Sequence, residues 1–116
     1  MHQLPELADF SGGIAHVFIC HTSASLAVNE NDSPDVRQDF ERSFNELVPE
    51  NAPYYEHTIE GPDDMPAHIR SALTQTHVVI PVMEGRLQLG TWQGLFLFEH
   101  RAEPRKRDVI LHLAGE

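Results

Sequence analysis

Cysteine occurs once, at Cys20, so the chain has no partner for an intrachain disulfide. The thiol falls inside the apolar run over residues 14–20, where a buried and inert state is expected. Cations are scarce too: 8 Lys and Arg stand against 18 Asp and Glu, a formal charge of -10 that repels a phosphate backbone and argues against a nucleic-acid partner. No apolar run approaches the roughly 18 residues that a bilayer requires. The start, Met1-His2-Gln3-Leu4-Pro5-Glu6, has neither a basic n-region nor an apolar h-region, so the expected location is the cytoplasm, with no membrane partner. Repeats, low-complexity tracts and linkers are missing as well. What remains is a composition of 41% hydrophobic and 22% charged residues over 116 positions, which suits one folded domain spanning residues 1–116. The outlier is histidine, with 8 copies, and it raises the question of a metal.

Residues 14–20 are apolar and rich in β-branched side chains, which predicts a strand covered on both faces. A second strand is expected over 22–29. The period then changes: Ser33 before Pro34 forms an N-cap with proline at the first helical position, and Val36, Phe40, Phe44 and Leu47 recur at helical spacing, predicting a helix over 34–47 that stops before Pro49. Residues 49–64 read as a long functional loop. A shorter helix begins near Asp64, with Pro66 in its first turn and a buried stripe of Met65, Ile69 and Leu73. Strands are expected over 77–83, 86–89, 95–99 and 108–113, with Glu84-Gly85 as a turn. This order predicts an α+β fold, a compact sandwich in which two helices pack against a largely antiparallel sheet.

Four clusters carry candidate chemistry. His21-Thr22-Ser23-Ala24-Ser25 follows the first strand, where hydroxyls and amides suit phosphate oxygens, although such residues also serve turns. In Asn29-Glu30-Asn31-Asp32, capping explains Asp32 but leaves Glu30 without a structural role. The stretch from Tyr54 to His68 contains His57 in the loop and His68 one turn into the second helix, on the flank of its stripe. With His21, three imidazoles would hold a divalent transition metal, and Glu60, Asp63 or Asp64 would orient their rings. The spacing matches no short metal-binding signature, and separate solvated histidines remain the plainer reading. In the fourth cluster, Gly90 and Gly94 allow close backbone approach around Trp92, read as a core anchor. Arg86 is the best candidate for a bidentate phosphate or carboxylate contact, and Gln93 needs partners. Residues 103–108 read as a solvated connection. His2, His16, His77, His100 and His112 receive no functional assignment.

His21-Thr22-Ser23-Ala24-Ser25-Leu26 with Asn29-Glu30-Asn31, then His57, Glu60-Gly61 and His68, then Gly90-Thr91-Trp92-Gln93-Gly94 together closely resemble the YjbQ family, over about residues 14–116. The resemblance implies a compact α+β sandwich assembled as a homotrimer with polar pockets near subunit boundaries. It also implies a weak secondary thiamine-phosphate synthase activity, which joins hydroxymethylpyrimidine diphosphate to thiazole phosphate with loss of pyrophosphate. On the matching positions it points to His21, His57 and His68 as pocket or metal residues, with Glu30, Glu60, Thr91 and Gln93 nearby. Family members usually carry a further amino-terminal strand and helix, which residues 1–13 are too short to hold, so the natural start is expected upstream of Met1.

Under that reading Thr22, Ser23, Ser25, Arg86 and a divalent cation take the pyrophosphate oxygens, and Trp92 or Tyr55 stacks on the pyrimidine. Magnesium prefers oxygen ligands, whereas imidazoles favour zinc or nickel. Two alternatives stand beside it: a metal-dependent hydrolase with Glu60 or Glu30 as base, and a trimeric module that binds a small phosphorylated metabolite or a metal without turnover.

Overall fold

The computed structural model describes residues 5–116; His2 lies outside them. After a 3-10 turn at Pro5–Asp9 the chain runs β1 (Gly12–Ile19), β2 (Ala24–Glu30), α1 (Pro34–Leu47), α2 (Asp64–Leu73), β3 (His77–Met83), β4 (Arg86–Leu87), β5 (Gln93–Glu99) and β6 (Val109–Gly115). The strands form a four-stranded sheet ordered β4-β3-β1-β6 and a two-stranded sheet of β2 and β5. Every strand pairing is antiparallel, as the α+β sandwich requires. The two sheets touch through an isolated bridge between Leu26 and Gln75. No helix among the described residues is long and apolar enough to cross a membrane.

Alternation decides the core. Ala15, Val17 and Ile19 of β1 point inward with Val78, Ile80 and Val82 of β3, and Ala24 and Leu26 of β2 close over them. The other face of β1 carries Ile14 and Phe18 into solvent, so this strand is covered on one face only, contrary to the expectation from its apolar run. The same alternation turns Cys20 outward. Its thiol is exposed rather than buried.

Helix α1 has the expected bounds, and Ser33 caps it by accepting a hydrogen bond from the Asp35 N–H at 3.3 Å. Phe40 and Phe44 rest on Phe98 of β5 at ring separations of 6.1 and 6.3 Å, while Leu47 stays exposed. Helix α2 also forms where the sequence places it, but it buries a different face. Asp64, Pro66, Ala67 and Ser71 lie inside, whereas Leu73 is 58% exposed and Met65 and Ile69 are half-buried. Polar demand explains the rotation. The Ser71 hydroxyl donates to the Ala24 carbonyl at 3.1 Å, and the buried Asp64 carboxylate meets Arg101, bonds that outweigh the burial of a few methylenes. Trp92 likewise is no core anchor, being 60% exposed on the turn between β4 and β5.

Candidate metal centre

No helix or strand interrupts the chain between α1 and α2, and this loop folds back on itself through its own bonds. The Tyr55 hydroxyl donates to the Pro49 carbonyl at 2.9 Å, and Gly61, at φ 110, reverses the backbone just before α2. The reversal sets His57 beside the first turn of the helix. Asp63 occupies the N-cap position, yet its side chain does not cap. It accepts from Arg101 Nε at 2.9 Å and from the Ala102 N–H at 2.8 Å.

Asp64, the first helical residue, is the centre of the cluster. Its Oδ1 accepts from Arg101 Nη1 at 2.7 Å, and its Oδ2 lies 2.7 Å from His57 Nε2 and 3.0 Å from His68 Nε2. Positions 64 and 68 are one turn apart, so the helix itself presents both groups to one side. Arg101 reaches across from the end of β5 and also donates through Nη2 to the Glu60 carbonyl at 2.9 Å, fixing loop and helix together. Among the described residues, His57, Asp64 and His68 are the one group of three whose ligand atoms all lie within 4.8 Å of one another.

The electrostatics keep the carboxylates ionised. Burial pushes the Asp64 carboxyl up, but the His57 hydrogen bond, the neighbouring His68 ring and the Arg101 charge more than offset it, leaving the group below its ordinary value. The Arg101 hydrogen bond, aided by the Ala102 N–H, lowers Asp63 to about 2. The same contacts raise Arg101.

His68 carries the most informative geometry. Its Nδ1 is 3.0 Å from the Thr22 carbonyl oxygen, which only accepts, so the ring proton sits on Nδ1. In the neutral ring the Nε2 lone pair then faces the Asp64 Oδ2 lone pairs at 3.0 Å. A lone pair against a carboxylate repels unless a proton or a metal cation lies between them. Two imidazoles and a carboxylate suit zinc or nickel, and the carbonyl that orients His68 is the kind of outer partner metal-binding histidines use.

His21 is not part of this group. Its Nε2 accepts the Asp108 N–H at 2.7 Å, so in this arrangement it fastens the start of β6 to the loop after β1, and Asp64 is the third member of the group that could hold a metal. Thr22 is exposed next to the centre. Ser23 is buried and its carbonyl receives Arg107 Nη2 at 3.2 Å. Ser25 is fully buried and bonded to His100 Nε2 at 2.8 Å and to Thr74 Oγ1 at 2.6 Å, which leaves no hydroxyl for a phosphate. Glu60 contributes its backbone to the cluster while its side chain is exposed.

The remaining candidates lie elsewhere. Arg86 follows Met83, which pairs with Gly12, whereas the centre adjoins the far end of β1, about 20 Å away at 3.3 Å per residue. Glu30 pairs with Gln93 at the end of the β2–β5 ladder opposite Ala24, again about 20 Å along the strand. Thr91 and Trp92 sit on that distal turn, exposed. Gln93 Oε1 accepts the Gly90 N–H at 2.7 Å, and a Cβ on Gly94 would meet the Asn31 side chain at 2.8 Å, so both glycines make room for this chain's own side chains. Glu30 Oε2 is buried with no hydrogen-bond partner among the described residues.

Sequence reasoning missed Arg101, which looks like part of a polar connection, and Arg107, whose guanidinium is buried against Glu99 rather than solvated. The available signal was scarcity. With 8 cations for 18 acidic groups, the few buried carboxylates must claim specific arginines.

Known proteins share this architecture. A family model described as UPF0047 protein YjbQ-like matches residues 3–116. A UPF0047 protein of Synechocystis is 58% identical over 104 residues, covering 90% of this chain and 71% of that protein. The YjbQ protein of Salmonella typhimurium is 50% identical over 114 residues, covering 98% and 82%. A solved YjbQ/UPF0047 structure from Clostridium acetobutylicum superposes with a TM-score of 0.85 at 35% identity, covering 94% of this chain and 81% of that one. A YjbQ-like protein of unknown function from Sulfolobus solfataricus gives 0.86 at 26% identity, covering 99% and 81%. The chain therefore belongs to the YjbQ (UPF0047) family.

Proposed function

We propose that this protein holds one divalent transition-metal ion, zinc or nickel in preference to magnesium, through His57, Asp64 and His68, and acts there on a small phosphorylated metabolite. The observation that carries the reading is the His68 ring, whose Nδ1 proton is fixed by the Thr22 carbonyl so that Nε2 faces the Asp64 carboxylate. When bound, the cation supplies charge neutralisation for phosphate oxygens. Arg101 keeps Asp64 ionised and immobile, His57 is the exposed member of the set on the solvent side, and exposed Thr22 touches the centre through its backbone carbonyl.

The specific reaction we assign is the one the family resemblance implied: the thiazole nitrogen attacks the pyrimidine methylene carbon, the carbon–oxygen bond breaks, and pyrophosphate leaves with the electron pair. Weak activity fits the geometry. Every cation at the centre is already engaged, since Arg101 Nε, Nη1 and Nη2 all hold acidic or carbonyl oxygens. That same observation favours, as the second reading, a hydrolase that needs no arginine clamp. We propose as the working unit the homotrimer that the family resemblance implied; Glu30, Arg86, Thr91, Trp92 and Gln93 lie too far along the strands to reach the centre of their own chain and would take part only at a neighbour's.

The test is zinc titration of metal-stripped protein. Near one ion per chain is expected, with His57→Ala and His68→Ala each weakening it by about 100-fold or more. Undiminished binding in both variants refutes the centre. Pyrophosphate release that requires both substrates identifies the synthase; release of inorganic phosphate from one substrate identifies the hydrolase.

A further inference from the structure

Helix α2 has a second functional side. At 3.6 residues per turn, positions two apart lie about 200° round the axis, so Pro66 and Arg70 face away from His68. They face a cavity of about 530 Å3 between α1, α2 and β5, within the size range of small-molecule sites. Its walls are aromatic: Phe40 and Phe44 from α1, Phe96 and Phe98 from β5, with His100 edge-on to Phe44 at 5.9 Å.

The polar side chains of the lining are unevenly engaged. Arg70 directs Nη2 to the Asn45 Oδ1 at 3.1 Å and to the Val48 carbonyl at 3.0 Å, which pins the guanidinium, while its Nε is buried without a partner among the described residues. That atom is sealed from solvent, so a ligand in the cavity would meet the guanidinium through Nη1, which makes no hydrogen bond among the described residues. Arg37 lies over the Phe96 ring at 5.8 Å. Arg101 also lines the cavity, but its donors already serve Asp63, Asp64 and Glu60. Four carboxylates stand on the lining too: Asp63 and Glu99 are paired with Arg101 and Arg107, while Glu41 and Glu50 are in no salt bridge among the described residues and oppose a doubly charged anion. His100, kept neutral by burial, adds no compensating charge.

We infer that this cavity is a binding site for a flat aromatic molecule carrying a single carboxylate, its ring among the four phenylalanines and its acid on Arg70. The site is separate from the metal centre, although Arg101 forms a wall of one and a support of the other.

The probe is 2-naphthoate, titrated into the full chain by calorimetry and followed by amide chemical-shift changes. 2-Naphthalenemethanol serves as the neutral match and 2-naphthyl phosphate as the doubly charged one. Saturable binding of the naphthoate is expected, with both comparators weaker by about tenfold or more. Arg70→Met should weaken the naphthoate by about tenfold or more and leave the alcohol nearly unchanged. Phe40→Trp, at a half-exposed helix position, should fill the cavity and reduce both. A thermal melt checks that each variant folds. Binding should persist unchanged in His57→Ala and His68→Ala, so a failed metal centre leaves this site standing. Three results would overturn it: no saturable binding at millimolar naphthoate, equal affinity for the alcohol, or naphthoate binding that disappears in the histidine variants.

Discussion

A hydroxyl has one proton to give, and that limit orders the buried chain of Ser25, Thr74 and His100. Thr74 Oγ1 lies 2.8 Å from the Arg70 carbonyl and 2.6 Å from Ser25 Oγ, and Ser25 Oγ lies 2.8 Å from His100 Nε2. If Nε2–H donates to Ser25, Ser25 to Thr74 and Thr74 to the carbonyl, every acceptor is filled. That order puts a proton on Nε2 in either charge state; it is burial, reinforced by the Arg70 charge, that favours the neutral ring and lowers His100 from 6.5 to about 4. The folded protein then binds fewer protons than the unfolded chain between those values, so stability is complete above pH 6.5 and falls as the pH drops towards 4. Asp63, lowered from 3.8 to about 2, adds a later loss below pH 3.8. Urea midpoints measured from pH 7 to pH 4 should fall for the wild type and fall much less for His100→Gln; parallel curves would contradict this account. Ser25→Ala should cost about 1–3 kcal/mol by leaving the ring unpartnered. None of this was legible in the sequence. Ser25 read as a phosphate contact and His100 carried no assignment, because burial of a hydroxyl is decided by residues 49 and 75 positions away.

Secondary elements were far more legible than the faces they bury. Ser33 and Pro34 marked the start of α1, and the β-branched run at 14–20 marked β1, because caps and periodicity act within a few residues. In α2 the periodicity correctly grouped Met65 with Ile69 and Leu73, yet the opposite choice of inward face was made by Arg101 and the Ala24 carbonyl, partners remote in sequence. The consequence is measurable. Ala67 is fully buried against the sheet, so Ala67→Leu should destabilise by about 1–3 kcal/mol through overpacking, although leucine is a good helix former. Ile19→Ala, which empties one of the largest fully buried positions, should cost about 2–5 kcal/mol. A neutral outcome for Ala67→Leu in chemical denaturation would restore the apolar stripe as the inward face.

At the scale of the whole molecule the candidate site divides in two. The sequence grouped His57 with His68, which the fold does bring together, and supplied Asp64 only as a supporting group, but sequence order carries no information about which end of a strand a residue occupies once the sheet is built. One group surrounds the start of α2; Glu30, Arg86, Thr91 and Trp92 stand at the far ends of strands. The outer face of the four-stranded sheet is meanwhile open, with Ile14, Phe18, Val79, Met83 and Ile110 exposed around His16, His77 and His112. A patch of that kind on a small acidic protein invites contact with a second copy, and closed assembly would set one chain's distal residues against another's metal centre. If so, two damaged chains should repair one another. His68→Ala and Arg86→Ala, each inactive alone, are unfolded together, refolded as a mixture and assayed for pyrophosphate release. Random mixing in a closed ring places an intact centre beside an intact Arg86 in about a quarter of contacts, so about a quarter of the wild-type rate should return. A mixture as inactive as its parents, from chains that do co-assemble by mass, would confine the reaction to the residues around His57, Asp64 and His68 of a single subunit.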